Sequence, residues 1–437
     1  MTPKMGRQDI RFLRNRLAFF LLMIVTLSGL GNLSWLVFEP ASAPLAMVWA
    51  SAGLTPGEID PANQPDSNSQ GGLPSDLGKA IHRETINLIA AGDILMHNTE
   101  IWSGEQSDGT YKFDFFGPVQ SLISSGDYAS ADFEAALAGS QSGYTGYPLF
   151  NSPDEMAMTM RQAGFNLIVT ANNHVLDRGT KGALRTLQVL RGAGLDTLGV
   201  YSSQTEADSF LIKNIRGVKV GYLAYTYGSN GIPLPKDYPY LVNLLDKQRV
   251  LGDIARIRPQ VDFLVLVLHW GNEYQVEPTA EQKTLATDFL AAGADVILGS
   301  HPHVIGPMQV VQTGAGAKVI AYSLGNFIGD QHGVERNSGV ILNIKVTKDF
   351  QRGKTFLSEV SYIPTFSQSY YENGRKKFRV VSVADSIRTI QEGKDPYLKV
   401  TDLPILEKVL ASTTHLLGSG YRQIGEKDSA NSQSDTR

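Results

Sequence analysis

Residues 294–304 read ADVILGSHPHV. A short apolar run ends in glycine and is followed, after one serine, by two histidines flanking a proline. The run reads as a buried strand, Ala294–Gly299. Proline keeps His301 out of the helical region, so His301-Pro302-His303 is expected to be extended or turned. In an extended segment residues i and i+2 face the same side, which puts both imidazoles together. Two neutral imidazoles beside carboxylates suit Zn, Mn or Fe. Taken alone, the tripeptide reads equally well as a pair of loop histidines held by backbone hydrogen bonds.

The same arrangement recurs on either side of this stretch. Asp93 follows the apolar run Ile86–Ala91, Asn172-Asn173-His174 follows Phe165–Ala171, and His269 follows Asp262–Leu268. A further buried strand is expected at Lys318–Tyr322, and a hairpin over Phe210–Tyr227 turning near Arg216-Gly217. Helix-period segments lie between them. Ser152-Pro153-Asp154-Glu155 reads as an N-cap serine with proline at the first helical position, and Thr279 with Gln282 as a capping box for a helix that Gly293 stops. Ala183, Leu187 and Leu190 mark another helix, ending near Gly194. Alternating strands and helices place the chain in the α/β class. Open α/β sheets bind ligands at the carboxyl ends of their strands. Four such ends here carry carboxylate, amide or imidazole groups, and four of the chain's 8 histidines lie in them.

Each of these residues also has a plainer reading. Asp93 suits a turn after Gly92, and Asn172 and Asn173 are common turn residues. Glu134, in Ser130-Ala131-Asp132-Phe133-Glu134, suits a solvated charge. His174 with Asp177 reads as a hydrogen-bonded pair, structural or catalytic. His97 is a weak candidate ligand in Asp-x-x-x-His, while His82, His332 and His415 have no comparable context. Trp270 and Tyr274 read as walls of the site around His269. No G-x-S-x-G elbow, P-loop or G-x-G-x-x-G after a strand is present. With no cysteine in the chain, disulfide scaffolds, thiolate metal sites, a cysteine nucleophile and a lipidated cysteine are excluded. A net charge of -4 gives no basic footprint, so nucleic acid is not an expected partner.

Ahead of the body, Lys4, Arg7, Arg11, Arg14 and Arg16 (residues 1–16, a basic segment) precede Leu17 to Phe38, which contains no charged residue. A helix over 17–38 spans roughly 33 Å, enough for a bilayer core of about 30 Å. The basic flank keeps the N-terminus in the cytoplasm and sends the rest outside. The expected element is a single-pass anchor in the cell membrane; the alternative is a cleaved signal peptide with Ala50-Ser51-Ala52 as its processing site. Residues 39–83 read as a linker, polar and rich in Pro, Gly and Ser from Thr55 to Leu77. The main domain is expected over 84–366, a less regular C-terminal extension over 367–423 and a disordered tail over 424–437.

Together, GDILMH (92–97), DFEAAL (132–137), TANNHVLDRG (170–179), LHWGNEY (268–274), GSHPHV (299–304) and AYSLGNF (321–327) resemble, in this order, the CapA family of poly-γ-glutamate capsule biosynthesis proteins. That family's domain is similar to the calcineurin-like metallophosphoesterases. The resemblance covers about Asn87 to Asn326. It implies a four-layer metallophosphatase-like β-sandwich flanked by helices, with two divalent metal ions (Zn, Mn or Fe) at one edge. Carried over by motif, Asp93 binds one metal and Glu134 takes the bridging position. Asn173, His269 and His301 complete the second metal, and His303 returns to the first. His174 matches the histidine that serves the leaving oxygen, and Asp177 orients it. Asn172, Glu273 and Asn326 fall among supporting or substrate-contacting positions.

Two departures stand out. The phosphoesterase pattern opens with Asp-x-His, whereas here Asp93 and His97 are four apart. The bridging residue is usually an aspartate after glycine, and Phe133-Glu134 lengthens that arm by one methylene.

The implied function is metal-dependent hydrolysis in synthesis or export of a capsule polymer of the poly-γ-glutamate type, alongside membrane-bound synthase or export subunits. Two alternatives remain open at this point. One is a non-catalytic, metal-stabilised assembly or polymer-binding subunit; the other is a secreted phosphoesterase unrelated to capsule.

Overall fold

The apolar run around Ile86–Ala91 extends at both ends into β1 (Arg83–Ile94), a strand buried on both faces. The computed structural model describes residues 82–314 and 316–418. From β1 the chain lays down β2 (Tyr128–Phe133), β3 (Leu167–Val169) and β4 (Asp196–Leu198), each parallel to its neighbour. It then builds a second sheet from β5 (Leu211–Ile215), β6 (Val218–Thr226), β7 (Phe263–His269), β8 (Val296–Ser300), β9 (Met308–Thr313) and β10 (Gly316–Ala321). It returns to the first sheet with β11 (Asn326–Ile328), β12 (Ser338–Asp349), β13 (Lys354–Glu372) and β14 (Arg375–Ser382). The first sheet runs β14-β13-β12-β1-β2-β3-β4 with β11 beside β1, and the second runs β5-β6-β7-β8-β10-β9.

Period-two alternation divides the burial. From β1, Ile86, Leu88 and Ala90 point between the sheets, where they meet Val220, Val265 and Leu298 of the second sheet. Ile89 points the other way, packing with Met156, Met160 and Leu190 of the helices Glu155–Ala163 and Gly179–Gly192. On the far side, Leu266 and Ile297 pack against Ile254 and Phe289 of the helices Lys247–Ile257 and Ala280–Ala292. The result is a mixed α/β fold of two sheets sandwiched between helices.

The local signals resolve in detail. The Thr279–Gln282 capping box forms reciprocally. The β5–β6 hairpin turns on Arg216 (φ 48) and Gly217 (φ 85), as a two-residue turn with both φ positive requires. The helix expected from Ser152 instead starts at Glu155 and has no side-chain cap. Ser152 is buried, and its N–H donates to the Ala136 carbonyl at 2.7 Å, which holds the chain against the sheet until Pro153.

The division expected at residue 366 falls inside β13, which pairs with β12 over Ser338–Asp349 and continues into β14. The segment beyond is therefore part of the sheet and its cover. The helices Val383–Gln391 and Leu403–Leu417 share a small core of Val381, Val383, Ile390, Leu406 and Val409. Residues 1–16, 17–38, 39–81 and 424–437, with the expected basic segment, membrane span, most of the linker and the tail, lie outside the described residues. Among the described residues no helix is long and apolar enough to cross a membrane.

Two strand ends approach neighbouring backbone so closely that only glycine fits. A Cβ on Gly92 meets the Gly325 carbonyl oxygen at 1.8 Å, and one on Gly299 meets that of Tyr322 at 1.9 Å. Gly92→Ala is expected to destabilise the protein by about 1–3 kcal/mol or more, because backbone has to move. Gly252→Ala, inside the helix Lys247–Ile257 with open space around it, is expected to stabilise by roughly 1 kcal/mol. Denaturant unfolding of both variants checks the contrast.

Candidate metal centre

The two close approaches bring the ends of β1, β2, β3, β7 and β8 to one edge of the sandwich. Asp93 sits on β1 in register with Asn326 of β11 and Asp132 of β2. Asp132 and Glu134, two residues apart around the end of β2, face the same side. Asn172, Asn173 and His174 follow β3, His269 ends β7, and His301 and His303 follow β8. All ten are buried.

Hydrogen bonds fix the atoms each side chain presents. Asn326 donates from Nδ2 to Gln331 Oε1 (3.1 Å) and to the Arg336 carbonyl (2.7 Å). Its Oδ1 is therefore the acceptor facing His303 Nδ1 at 3.0 Å, which leaves the His303 Nε2 lone pair free. His269 Nδ1 lies 2.8 Å from Asp132 Oδ2, and Ser300 Oγ donates to the same oxygen at 2.7 Å. Asn172 Nδ2 donates to Asp132 Oδ1 at 3.1 Å and to the Phe133 carbonyl at 2.8 Å. Asn173 Nδ2 donates to Asn230 Oδ1 at 3.2 Å, so its Oδ1 faces His269 Nε2 at 2.7 Å. With Nδ1–H committed to Asp132, that contact sets two lone pairs against each other, an arrangement that a shared cation relieves. His174 Nδ1 lies 2.8 Å from Asp177 Oδ2, an oxygen that also accepts the Phe150 N–H at 2.7 Å.

At the centre is Glu134. Neither of its carboxylate oxygens has a hydrogen-bond partner, and neither do Asp93 Oδ1 and His301 Nδ1. Glu134 Oε1 lies 3.7 Å from His269 Nε2, 3.7 Å from His303 Nε2 and 3.9 Å from His174 Nε2. These separations exceed a hydrogen bond. Those to His269 and His303 match the spacing of co-ligands, since donors about 2.1 Å from one ion sit roughly 3–4 Å apart. Glu134, His301 and His303 each offer a ligand atom within 4.8 Å of the others. The donor set, mixed carboxylate, amide oxygen and imidazole, fits a divalent transition metal.

The electrostatics agree. Burial, with Asp93, Asp132, Glu273 and Asp177 adding repulsion, raises the Glu134 pKa well above the carboxylate range. Burial pushes Asp132 up to about 7, against the opposing hydrogen bonds from Ser300 and Asn172. His269 is pushed down to about 3 and His301 to about 2, in both cases chiefly by burial. Both rings are therefore neutral at physiological pH, the form a metal requires.

The geometry of the His-Pro-His turn differs from an extended segment. His301 has φ 94 and His303 φ 58, while the His301 N–H donates to Asp93 Oδ2 at 3.1 Å. The strand has to turn sharply after Ser300, and that hydrogen bond holds the turn in a region disfavoured for non-glycine residues. The imidazoles still converge, with ring centroids 5.9 Å apart. His97 does not join them. It precedes the helix Asn98–Gly104, accepts the Asp330 N–H at 3.4 Å and lies 3.8 Å from Glu100 Oε2. The four-residue spacing carries it past the end of β1. Glu273 is exposed on the rim. Asp132, Ser300, Asn230 and Tyr227, whose ring lies 4.6 Å from that of His301, complete the site without having been singled out. The spacing Asp132-x-Glu134 was a signal for the first of these.

For Asp132 the folded pKa lies above the unfolded one, so its stabilising contribution is full below about pH 4 and is lost as pH rises through about 7. Asp132→Asn lacks this titration. In chelator-treated protein, the melting temperature of the wild type should fall relative to the variant by several degrees between pH 4.5 and 7.5. Parallel curves would contradict a carboxylate whose burial outweighs its hydrogen bonds.

The capsule biosynthesis protein CapA of Bacillus anthracis is 30% identical over 263 residues, covering 57% of this chain and 62% of that protein. The chain thus spans less than two thirds of that relative. The PGA biosynthesis protein CapA of Bacillus subtilis (strain 168) is 27% identical over 276 residues, 62% of this chain and 70% of that protein. Among solved structures, a putative 5'-nucleotidase from Staphylococcus aureus matches with TM-score 0.42 and 11% identity over 75% of this chain and 58% of its own. A phosphatase from Mycoplasma pneumoniae matches with TM-score 0.40 and 14% identity over 65% of this chain and 94% of its own. Residues 87–331, more than half of the chain and the part that supplies every strand end described above, match the family described as bacterial capsule synthesis protein PGA_cap, and the chain belongs to that family.

Proposed function

We propose that the protein is a membrane-anchored, metal-dependent hydrolase of capsule-polymer synthesis or export, with its globular body outside the cytoplasm. The observation that carries the chemistry is the buried Glu134 carboxylate, unbonded and ringed by the Nε2 atoms of His174, His269 and His303. A polymer of the poly-γ-glutamate type is the favoured substrate because relatives at 30% and 27% identity are named for capsule and PGA biosynthesis. The basic residues before the uncharged stretch 17–38 support the anchor and its orientation.

In this reading Asp93 and His303 would hold one divalent ion, Asn173, His269 and His301 would hold the other, and Glu134, within reach of both sets, would serve both. Such ions, when bound, supply an acidified water and compensate developing negative charge. The protein's own groups do the rest. Asp132 and Asn326 hold the His269 and His303 rings by their Nδ1 atoms, so the opposite nitrogens stay available. Asp177 holds His174 Nδ1, which makes Nε2 the atom that exchanges a proton with the leaving oxygen or nitrogen. Phe150 packs edge-on against the His174 ring at 4.6 Å and keeps it in that orientation.

Hydrolysis of phosphodiester substrates and of γ-linked glutamate polymer by the full-length protein tests this. His174→Ala is expected to lower turnover by ~10²–10⁴-fold while leaving metal content intact. Wild-type protein that keeps its metal yet turns over neither substrate class contradicts the hydrolase reading and favours a metal-stabilised assembly subunit.

A further inference from the structure

The acidic interior of the centre raises the question of what receives an anionic substrate, and one cation at its rim answers it. The Arg336 guanidinium carbon lies 3.7 Å from the ring centroid of Tyr274. Among the described residues its side chain makes no hydrogen bond or ion pair; its neighbour Glu335 is engaged by Lys408 at 2.6 Å. The rim carboxylate Glu273 interacts with the Tyr274 hydroxyl. By contrast, Arg178, near His174, spends its donors on the Phe150, Ser142 and Leu149 carbonyls.

Both halves of this pair are fixed to the centre by backbone. The Tyr274 N–H donates to the Pro302 carbonyl at 2.8 Å, between the two site histidines, and its ring centroid lies 6.0 Å from that of His303. The Arg336 carbonyl accepts from Asn326, the residue that holds His303. Tyr274 takes a positive φ of 64 to reach this position. Stacking on an aromatic face holds a guanidinium in place while leaving its in-plane donors open, and that fork matches two oxygens of a carboxylate or phosphate.

We propose that Arg336, stacked on Tyr274, binds an oxyanion of the substrate beside the bond cut at the metal centre. The proposal rests on the hydrolase reading above and adds a substrate class, molecules that carry a carboxylate or phosphate next to the scissile bond. In a γ-linked glutamate chain that group is the free α-carboxylate of the adjoining residue; in a phosphoester it is a phosphoryl oxygen.

The test uses full-length protein loaded with manganese, titrated calorimetrically with inorganic phosphate and separately with γ-linked triglutamate. Arg336→Ala should weaken binding of one or both probes by about tenfold or more. Arg336→Lys, which keeps the charge but loses the fork, should weaken it less. Tyr274→Leu should fall between wild type and Arg336→Ala. Loss confined to triglutamate identifies the polymer carboxylate, and loss confined to phosphate identifies a phosphoester substrate. Unchanged affinity for both probes overturns the proposal, as does wild-type protein that binds neither. Metal content measured on the same samples separates the two readings: metal-loaded protein with unchanged affinities overturns the Arg336 assignment alone, whereas protein that takes up no metal overturns both.

Discussion

Asp93, Asp132 and Glu134 lie out of water at one edge of the sandwich, and among the described residues no lysine or arginine pairs with any of them. Gathering carboxylates in a low-dielectric site is unfavourable unless positive charge is supplied, and truly isolated buried charge is avoided in folded proteins. The His269 and His301 imidazoles do not supply it, since burial drives both toward the neutral form. The surrounding backbone nonetheless spends conformational strain on bringing these groups together, in the positive φ values of His301 and His303. A centre built to hold cations accounts for all of these features at once.

The two sheets contribute different chemistry. The first delivers Asp93, Asp132, Glu134, Asn172, Asn173, His174 and Asn326 from the ends of β1, β2, β3 and β11, mostly carboxylate and amide. The second delivers His269, Ser300, His301 and His303 from β7 and β8. Contacts that join the sets, among them His269 to Asp132, His303 to Asn326 and the His301 N–H to Asp93, cross from one sheet to the other. Formation of the site is thus coupled to packing of the inter-sheet core, with Leu88, Val265 and Leu298 among its members. Substitutions deep in that core should alter the centre without touching it.

Much of this edge was legible in the sequence because buried parallel strands are short apolar runs whose ends are marked by the polar residues that follow. The runs before Asp93, Asn172, His269 and His301 each became strands, and the glycines at 92 and 299 punctuate two of them. Less legible was anything set by tertiary contact. Asp132 was overlooked beside Glu134, although i and i+2 on a strand share a face. Asn230 lies in a loop after β6 where no period applies, and only its contacts to Asn173 and His174 give it meaning. β13 mixes exposed and buried positions along its length, so its alternation fades and the sheet seemed to end in the middle of it. The helix start moved from Ser152 to Glu155 because a backbone hydrogen bond to Ala136 outweighed a local capping pattern.

The most direct test of a two-cation centre is the metal content of the purified full-length chain by elemental mass spectrometry, with Glu134→Gln measured beside it. About two equivalents of a divalent transition metal per chain are expected, largely lost in the variant while its melting transition persists. A folded wild-type protein that takes up no zinc, manganese or iron at neutral pH, or a variant that binds as much as the wild type, would contradict such a centre.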